Sequence, residues 1–93
     1  MIVGVLEMRL AIREATSLKA KRRILKSLKD RVRDRFNVSM AEVGRQDARQ
    51  FSDLGVAVVA TDRRFADQVL SQVVNLARTY RAVQLVDTET EFY

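Results

Sequence analysis

The sequence contains no cysteine, histidine, proline or tryptophan. Without cysteine and histidine the chain cannot form disulfides, thiolate nucleophiles, Cys/His zinc sites or imidazole general bases. Most familiar catalytic chemistry is excluded with them. We therefore predict a protein that is not an enzyme and that has no catalytic residues, no metal and no cofactor.

Long hydrophobic runs are also missing. No segment approaches 18 consecutive apolar residues, and no charged stretch leads into an apolar run with a small-residue cleavage site. We therefore expect a cytoplasmic protein that does not engage a membrane. Linkers rich in glycine or serine and low-complexity runs are absent as well, so residues 1–93 are predicted to form one domain.

The spacing of the apolar residues changes several times along the chain. Residues 2–12 alternate between apolar and polar, which is typical of a half-buried strand, and apolar residues recur at helical spacing after the capping residue Ser17. The polar stretch 44–53 is predicted to be a long hairpin tip. The predicted elements are a strand over 2–12, a helix over 18–36, a strand over 38–43, a strand over 54–60, a helix capped by Thr61-Asp62 that ends near Tyr80, and a strand over 83–92.

The order strand, helix, strand, strand, helix, strand is the split βαβ unit of the ferredoxin-like α+β sandwich. Two right-handed crossovers place both helices on one face of a four-stranded antiparallel sheet. The opposite face of the sheet is left uncovered. In the second helix the residues predicted to face the core are Phe65, Val69, Val73, Leu76 and Tyr80.

Positive charge is concentrated in the first predicted helix. Positions 19–35 hold nine of the 17 basic residues and two acids, so this segment carries +7 and the rest of the chain −2. Five of the basic residues fall within an arc of about 80° beside the apolar stripe, at 100° per residue. We call these five the cationic rail: Lys19, Arg22, Lys26, Lys29 and Arg33.

Two interpretations of the cationic rail stay open. A row of cations could follow a phosphate backbone, with an affinity that falls steeply with salt. Alternatively, the rail is only a solvated helix face. Asp30 is its main acidic neighbour, and like charges this close are mildly unfavourable, which favours the phosphate interpretation.

Lys21 is unusual because its angular position lies near the middle of the apolar face. In one interpretation its long stem snorkels past the edge of the sheet. In the other, Lys21 and Arg22 bind an anion at the N-terminus of the helix, where the helix dipole favours negative charge. The second interpretation adds Lys21 to the residues predicted to bind nucleic acid.

The open sheet face is predicted to carry a small apolar patch. Val3 and Val5 of the first strand and Ala57 and Val59 of the third strand point outward. No aromatic residue is predicted beside them, so base stacking of the kind used by RNA-recognition modules is not expected. Exposed apolar patches commonly mark contacts between proteins, and these four residues are predicted to form the interface of a homodimer.

Charged residues are predicted at the rim of this patch, where the first and last strands are neighbours. Arg9 and Arg13 are expected to pair with Asp87, Glu89 and Glu91 across the ladder. The acids would then be compensated, which argues against a metal site.

Several short motifs are recognisable along the chain: Ser17-Leu18-Lys19, Lys21-Arg22, Leu25-Lys26, Phe36-Asn37-Val38-Ser39, Ala41-Glu42-Val43 and Gln46-Asp47. Their combination resembles the YlxP-like family of small bacterial proteins, a domain family of unknown function. The resemblance spans nearly the whole chain. It implies a ferredoxin-like fold, a bacterial cytoplasmic protein, and a gene beside those for translation initiation factor 2 and ribosome-binding factor A. The basic positions of the family motif match Lys19, Lys21, Arg22 and Lys26.

These observations lead to two hypotheses of different classes. The leading one is a non-catalytic accessory protein that binds RNA or the ribosome through its basic first helix. The alternative is an oligomeric interaction or regulatory module that uses the open sheet face, with the basic helix merely solvated.

Overall fold

Six elements follow one another along the chain, and the computed structural model describes all residues from Met1 to Tyr93. The strands form one antiparallel sheet in the spatial order β2-β3-β1-β4. This arrangement confirms the predicted ferredoxin-like fold. The elements are β1 (Ile2–Ala11), α1 (Leu18–Arg35), β2 (Ser39–Gly44), β3 (Phe51–Ala60), α2 (Arg63–Thr79) and β4 (Gln84–Phe92).

Both helices begin at residues whose side chains cap them. The Ser17 Oγ accepts a hydrogen bond from the Ala20 amide at 3.0 Å, and the Asp62 Oδ1 accepts one from the Phe65 amide at 2.8 Å. Each cap satisfies one of the backbone N–H groups that have no partner at a helix start. The two predicted helix starts are therefore confirmed.

The core lies between the helices and the inner face of the sheet. Alternation along β1 turns Leu6, Met8 and Leu10 toward the helices, and all three are fully buried. From the helix layer, α1 contributes Leu25, Leu28 and Val32, and α2 contributes Ala66, Leu70, Val73, Leu76 and Ala77. Burial of this apolar surface is the main stabilising contribution to the fold.

The prediction that Phe65 faces the core from α2 was wrong. The Phe65 side chain is 53% exposed, and Ala66 takes the core position instead. A Cβ built on Gly4 would lie 3.4 Å from the Ala66 Cβ, so at this point the helix comes close to β1. Only a small side chain fits between them, and the helix is rotated to present one.

The predicted hairpin tip was too long. β3 begins at Phe51 and not at residue 54, so the tip spans only 45–50. Ser52 and Asp53 are polar and suggest a turn by composition, yet they pair with Leu10 and Arg9 of β1. Ladder pairing with a long neighbouring strand outweighs their low strand propensity.

The chain termini meet at one end of the sheet. Val3 and Tyr93 exchange two backbone hydrogen bonds of 2.9 Å. We call this end the terminal end and the opposite end, which holds the β2–β3 hairpin, the tip end. Neither helix combines the length and the apolar character needed to cross a membrane.

We expect a side chain at Gly4 to destabilise the fold. A Cβ there would lie 3.0 Å from the Leu70 Cδ1 and 3.2 Å from the Val58 Cγ1, both in the core. Gly4→Val should therefore lower the free energy of unfolding by about 1–3 kcal/mol through overpacking, measured by urea denaturation. The control is Gly55→Val, where the nearest atom is the Val43 Cγ1 at 3.0 Å on the exposed face. Equal stability of the two variants would contradict this account.

Candidate functional site

The cationic rail lies along the flank of α1 that faces β2. At its last residue, the Arg33 Nη2 donates a hydrogen bond to the Met40 carbonyl of β2 at 2.7 Å. Lys19, Arg22, Lys26 and Arg33 are exposed, and Lys29 is half-buried. The structure therefore brings all five predicted rail residues onto one accessible strip of the helix layer.

Asp30 is the one acid that pairs with the rail. Its Oδ2 lies 2.9 Å from the Lys26 Nζ. The hydrogen bond from Lys26 holds the pKa of the Asp30 carboxyl below its usual value, and the nearby charges of Lys26, Arg33 and Lys29 act in the same direction. The carboxyl is therefore ionised at neutral pH, and the five cations with this one acid carry a charge of +4.

Lys21 neither snorkels past the edge of the sheet nor binds an external anion, which corrects both interpretations of this residue. Its side chain is fully buried, with none of its surface exposed. The ammonium points into the protein toward the hairpin tip, so no phosphate can reach it. It is removed from the predicted nucleic-acid contacts, and Arg22 remains there as an exposed rail residue.

The Lys21 ammonium sits in a cage of oxygen atoms from the β2–β3 hairpin. The Glu42 Oε2 lies 2.8 Å from the Nζ and forms an ion pair with it. Because an ammonium has three N–H groups, the five oxygens share three donors. Besides the Glu42 carboxylate, the four oxygens around the ammonium are the backbone carbonyls of Ala48 at 2.6 Å, Arg45 at 2.9 Å, Phe51 at 3.0 Å and Gln46 at 3.3 Å.

Sequence reasoning missed Glu42 and Ser52 as partners of this cage. The buried Ser52 hydroxyl donates to the Glu42 Oε2 at 2.7 Å, which orients the carboxylate. A signal was present: alternation along β2 puts Glu42 on the same face as Met40, which is a core residue. An acid on the inner face and a lysine on the apolar face of α1 indicate an internal ion pair.

The hairpin tip also rests on the loop that precedes α1. The Arg49 Nη1 donates to the Thr16 carbonyl at 3.3 Å, and the Gln50 Nε2 donates to the Arg13 carbonyl at 2.9 Å. The Ile12 amide donates to the Gln50 carbonyl at 2.7 Å. Loop and tip thus form one connected surface at the tip end, next to the first residues of the rail.

The four predicted interface residues form one patch on the open sheet face. Val3 lies opposite Val59 in the β1–β3 ladder, and Val5 lies opposite Ala57. Val59 is 65% exposed, and the other three are half-buried. Their outward placement is confirmed, while their role in a homodimer stays a prediction.

The charged rim differs from the prediction. Arg9 lies opposite Asp87, 3.9 Å away, but Glu89 lies opposite Glu7, and Arg13 lies beyond the end of β1. The acids are therefore only partly compensated, and this half of the open face is acidic. No three carboxylates come together in an arrangement that would hold a metal ion.

The open face carries an aromatic side chain that the sequence interpretation left out. Because β3 starts at Phe51, this residue points outward at the tip end, where it is 44% exposed. The Arg45 guanidinium lies 5.3 Å from the centre of its ring. Phe51 is the first residue of the central strand β3 and lies opposite Ala11, at the other end of the strand from the apolar patch.

The chain matches a known protein family over nearly its whole length. The DUF503 profile, described as a protein of unknown function, matches residues 3–90. The chain belongs to the DUF503 family. It is similar to the uncharacterized protein YlxP of Bacillus subtilis (strain 168), with 34% identity over 92 residues that cover 99% of this chain and 100% of that protein. This confirms the resemblance to the YlxP-like family.

Two solved structures share the fold of this DUF503 member. The de novo designed protein Foldit4 is 15% identical with a TM-score of 0.57, covering 100% of this chain and 97% of that one. The de novo designed protein LFR1 1 with ferredoxin fold is 11% identical with a TM-score of 0.52, covering 100% and 84%. At these identities the likeness concerns the fold alone.

The cage predicts a large effect of removing the Lys21 charge. Lys21→Met keeps most of the stem but leaves the Glu42 carboxylate without its cation and several carbonyls without a donor. Breaking a buried ion pair in this way typically costs about 3–5 kcal/mol of unfolding free energy, to be measured by urea denaturation. Lys19→Met, on the exposed rail, is the control and should change stability by less than about 0.5 kcal/mol. A Lys21→Met protein as stable as its control would show that the cage contributes nothing.

Proposed function

We propose that this chain is a non-catalytic accessory protein that binds RNA through α1, with ribosomal RNA as its target. The observation that carries the proposal is the cationic rail with its single acidic partner. Lys19, Arg22, Lys29 and Arg33 have no carboxylate within 4.0 Å, since Asp30 pairs with Lys26 alone. Their charge is therefore available to an external anion.

The rail has the length and rigidity that a phosphate backbone requires. From Lys19 to Arg33 the helix rises about 21 Å at 1.5 Å per residue, enough to face several successive phosphates. Arg33 uses one guanidinium N–H on the Met40 carbonyl and has others left for a phosphate oxygen. Cations on a helix anchored at its first turn by Lys21 lose less conformational freedom on binding than cations on a loop.

The open sheet face is a poor surface for RNA. Glu7, Glu89 and Asp87 repel phosphates. The apolar patch itself contains no aromatic ring, and the exposed ring of Phe51 lies at the opposite end of β3. The charge distribution therefore favours approach from the helix layer. The gene neighbourhood that the family resemblance implies, among translation genes, favours ribosomal RNA over other RNA.

RNA binding should depend strongly on salt and on the charges of the rail. A structured ribosomal RNA fragment should bind with a slope of about −3 to −4 in log affinity against log salt, for about four phosphates engaged. The triple variant Lys19→Glu, Arg22→Glu and Lys26→Glu should abolish binding, measured by fluorescence anisotropy at several salt concentrations.

A charge-matched control separates the rail from net charge. The variant Arg64→Glu, Arg78→Glu and Arg81→Glu changes three exposed arginines outside α1 by the same total charge. It should retain most of the binding. Equal loss in both triple variants, or binding that is independent of salt, would contradict a specific role for the rail.

A second function, self-association through the open sheet face, is favoured by the exposed apolar patch. Val59 is 65% exposed, and Val43 on β2 of the same sheet is 58% exposed. A two-fold axis through this patch and parallel to the strands would cover the patch and place the acidic β4 side of one copy over the β2 side of the other. Because the rail and the patch lie on opposite layers, this function is compatible with RNA binding.

Self-association should be lost when charge is placed in the patch. We expect the wild type to sediment as a dimer at micromolar concentration, and Val5→Glu with Val59→Glu to sediment as a monomer because buried carboxylates would face each other. Val86→Glu, at an exposed valine of β4, is the control and should remain dimeric. A wild-type protein that is monomeric at every concentration tested would refute the dimer.

A further inference from the structure

A groove opens at the terminal end of the protein, between the end of α1 and the start of α2. Its volume is about 430 Å³, which lies within the range of small-ligand sites. The end of β3 forms its floor. The residues that the argument uses are Arg35 and Phe36 at the end of α1, Asn37 after it, and Phe65, Gln68 and Gln72 on α2.

The lining of this groove combines an exposed ring, free amides and one cation. The Phe65 ring is displaced from the core by Ala66, so its face is available for stacking. The side chains of Asn37, Gln68 and Gln72 make no hydrogen bond within the protein, and no carboxylate lies within 4.0 Å of Arg35. No acidic side chain lines the groove.

This chemistry is complementary to a planar ligand that has hydrogen-bonding edges and a negative charge. Nucleobases stack on aromatic side chains and hydrogen-bond to amides through their edges, and guanidinium groups bind phosphate. We propose that the groove binds one unpaired nucleotide, with its base on Phe65, its base edge against the three amides and its phosphate at Arg35. This proposal rests on the proposed function, because the RNA that binds the rail would supply the unpaired nucleotide.

The groove lies close to the end of the cationic rail, because Arg33 of the rail and Arg35 of the groove both belong to the last turn of α1. Arg35 itself points away from the rail toward α2, but Asn37 and Val59 line both this groove and a shallower one of about 300 Å³. The shallower groove is lined by Ser39, the first residue of β2. The next residue is Met40, and its carbonyl accepts the hydrogen bond from Arg33. A strand that leaves the rail at Arg33 would therefore reach the groove around the turn before β2.

The first experiment tests the groove without the rail. Adenosine 5′-monophosphate, whose single phosphate cannot span the rail, is titrated into the wild-type protein and followed by amide chemical shifts. We expect shifts confined to 35–37, 58–59 and 65–72, and no shifts there with ribose 5-phosphate, which lacks the base. Absent shifts, or equal shifts with both compounds, would overturn the proposal. Binding of N-acetyl-leucine in place of the nucleotide would also overturn the proposal, because the groove would then be a site for an apolar ligand with a carboxylate.

The second experiment compares two RNAs that share one stem, one blunt-ended and one with an unpaired overhang. Phe65→Ala should weaken binding of the overhang RNA by roughly 5- to 150-fold, the usual range for one stacked base, and leave the blunt stem unaffected. Phe51→Ala, which removes an exposed ring at the tip end, is the matched control and should change neither affinity. Equal weakening of both RNAs by Phe65→Ala, or no weakening, would overturn the proposal.

The two experiments separate this proposal from the proposed function. If reversing the rail charges leaves RNA binding intact while the monophosphate still shifts the groove residues, the rail is refuted and the groove stands. If rail reversal abolishes RNA binding while Phe65→Ala has no effect on either probe, the rail stands and the groove is refuted.

Discussion

A buried ammonium ion connects the helix layer to the sheet. Placing a charge out of water costs several kcal/mol, and here the Glu42 carboxylate and four backbone carbonyls offset that cost at Lys21. These oxygens belong to β2, to the hairpin tip and to the first residue of β3, whereas the ammonium belongs to the first turn of α1. The start of α1, one edge strand and one loop are therefore fixed relative to each other by a single group, and the direction in which the rail faces is fixed with them.

The same cage explains how a tip without proline or glycine at 45–50 is ordered. Arg45 adopts a left-handed conformation with φ of 54°, which is mildly unfavourable for a residue with a side chain. Its carbonyl binds the Lys21 ammonium, and its guanidinium pairs with Asp53 at 3.2 Å. Contacts from both ends of Arg45 compensate for its backbone conformation. The tip thus has a defined shape although its composition is that of a flexible turn.

The fold was predictable because its determinants are local. Capping by Ser17 and Asp62 and the helical period of the apolar residues locate both helices, and strand order follows from the connections. The start of β3 was not predictable in this way, because Ser52 and Asp53 become strand residues only through pairing with β1. The rail follows from helix geometry alone. The role of Lys21 and the groove beside Phe65 depend on packing between elements far apart in sequence. The angular position of a residue on its helix indicates that it is unusual but does not identify its partners.

The acidic half of the open sheet face has a consequence for how the molecule approaches a partner. The excess positive charge lies on α1 in the helix layer, and Glu7, Asp87 and Glu89 lie on the far side of the sheet. The protein therefore has a permanent electric dipole moment directed across its layers. The field of a polyanion would exert a torque on this dipole that turns α1 toward the polyanion before contact. Encounters with a polyanion would then begin with α1 facing it, which would raise the association rate at low ionic strength more than the net charge alone would.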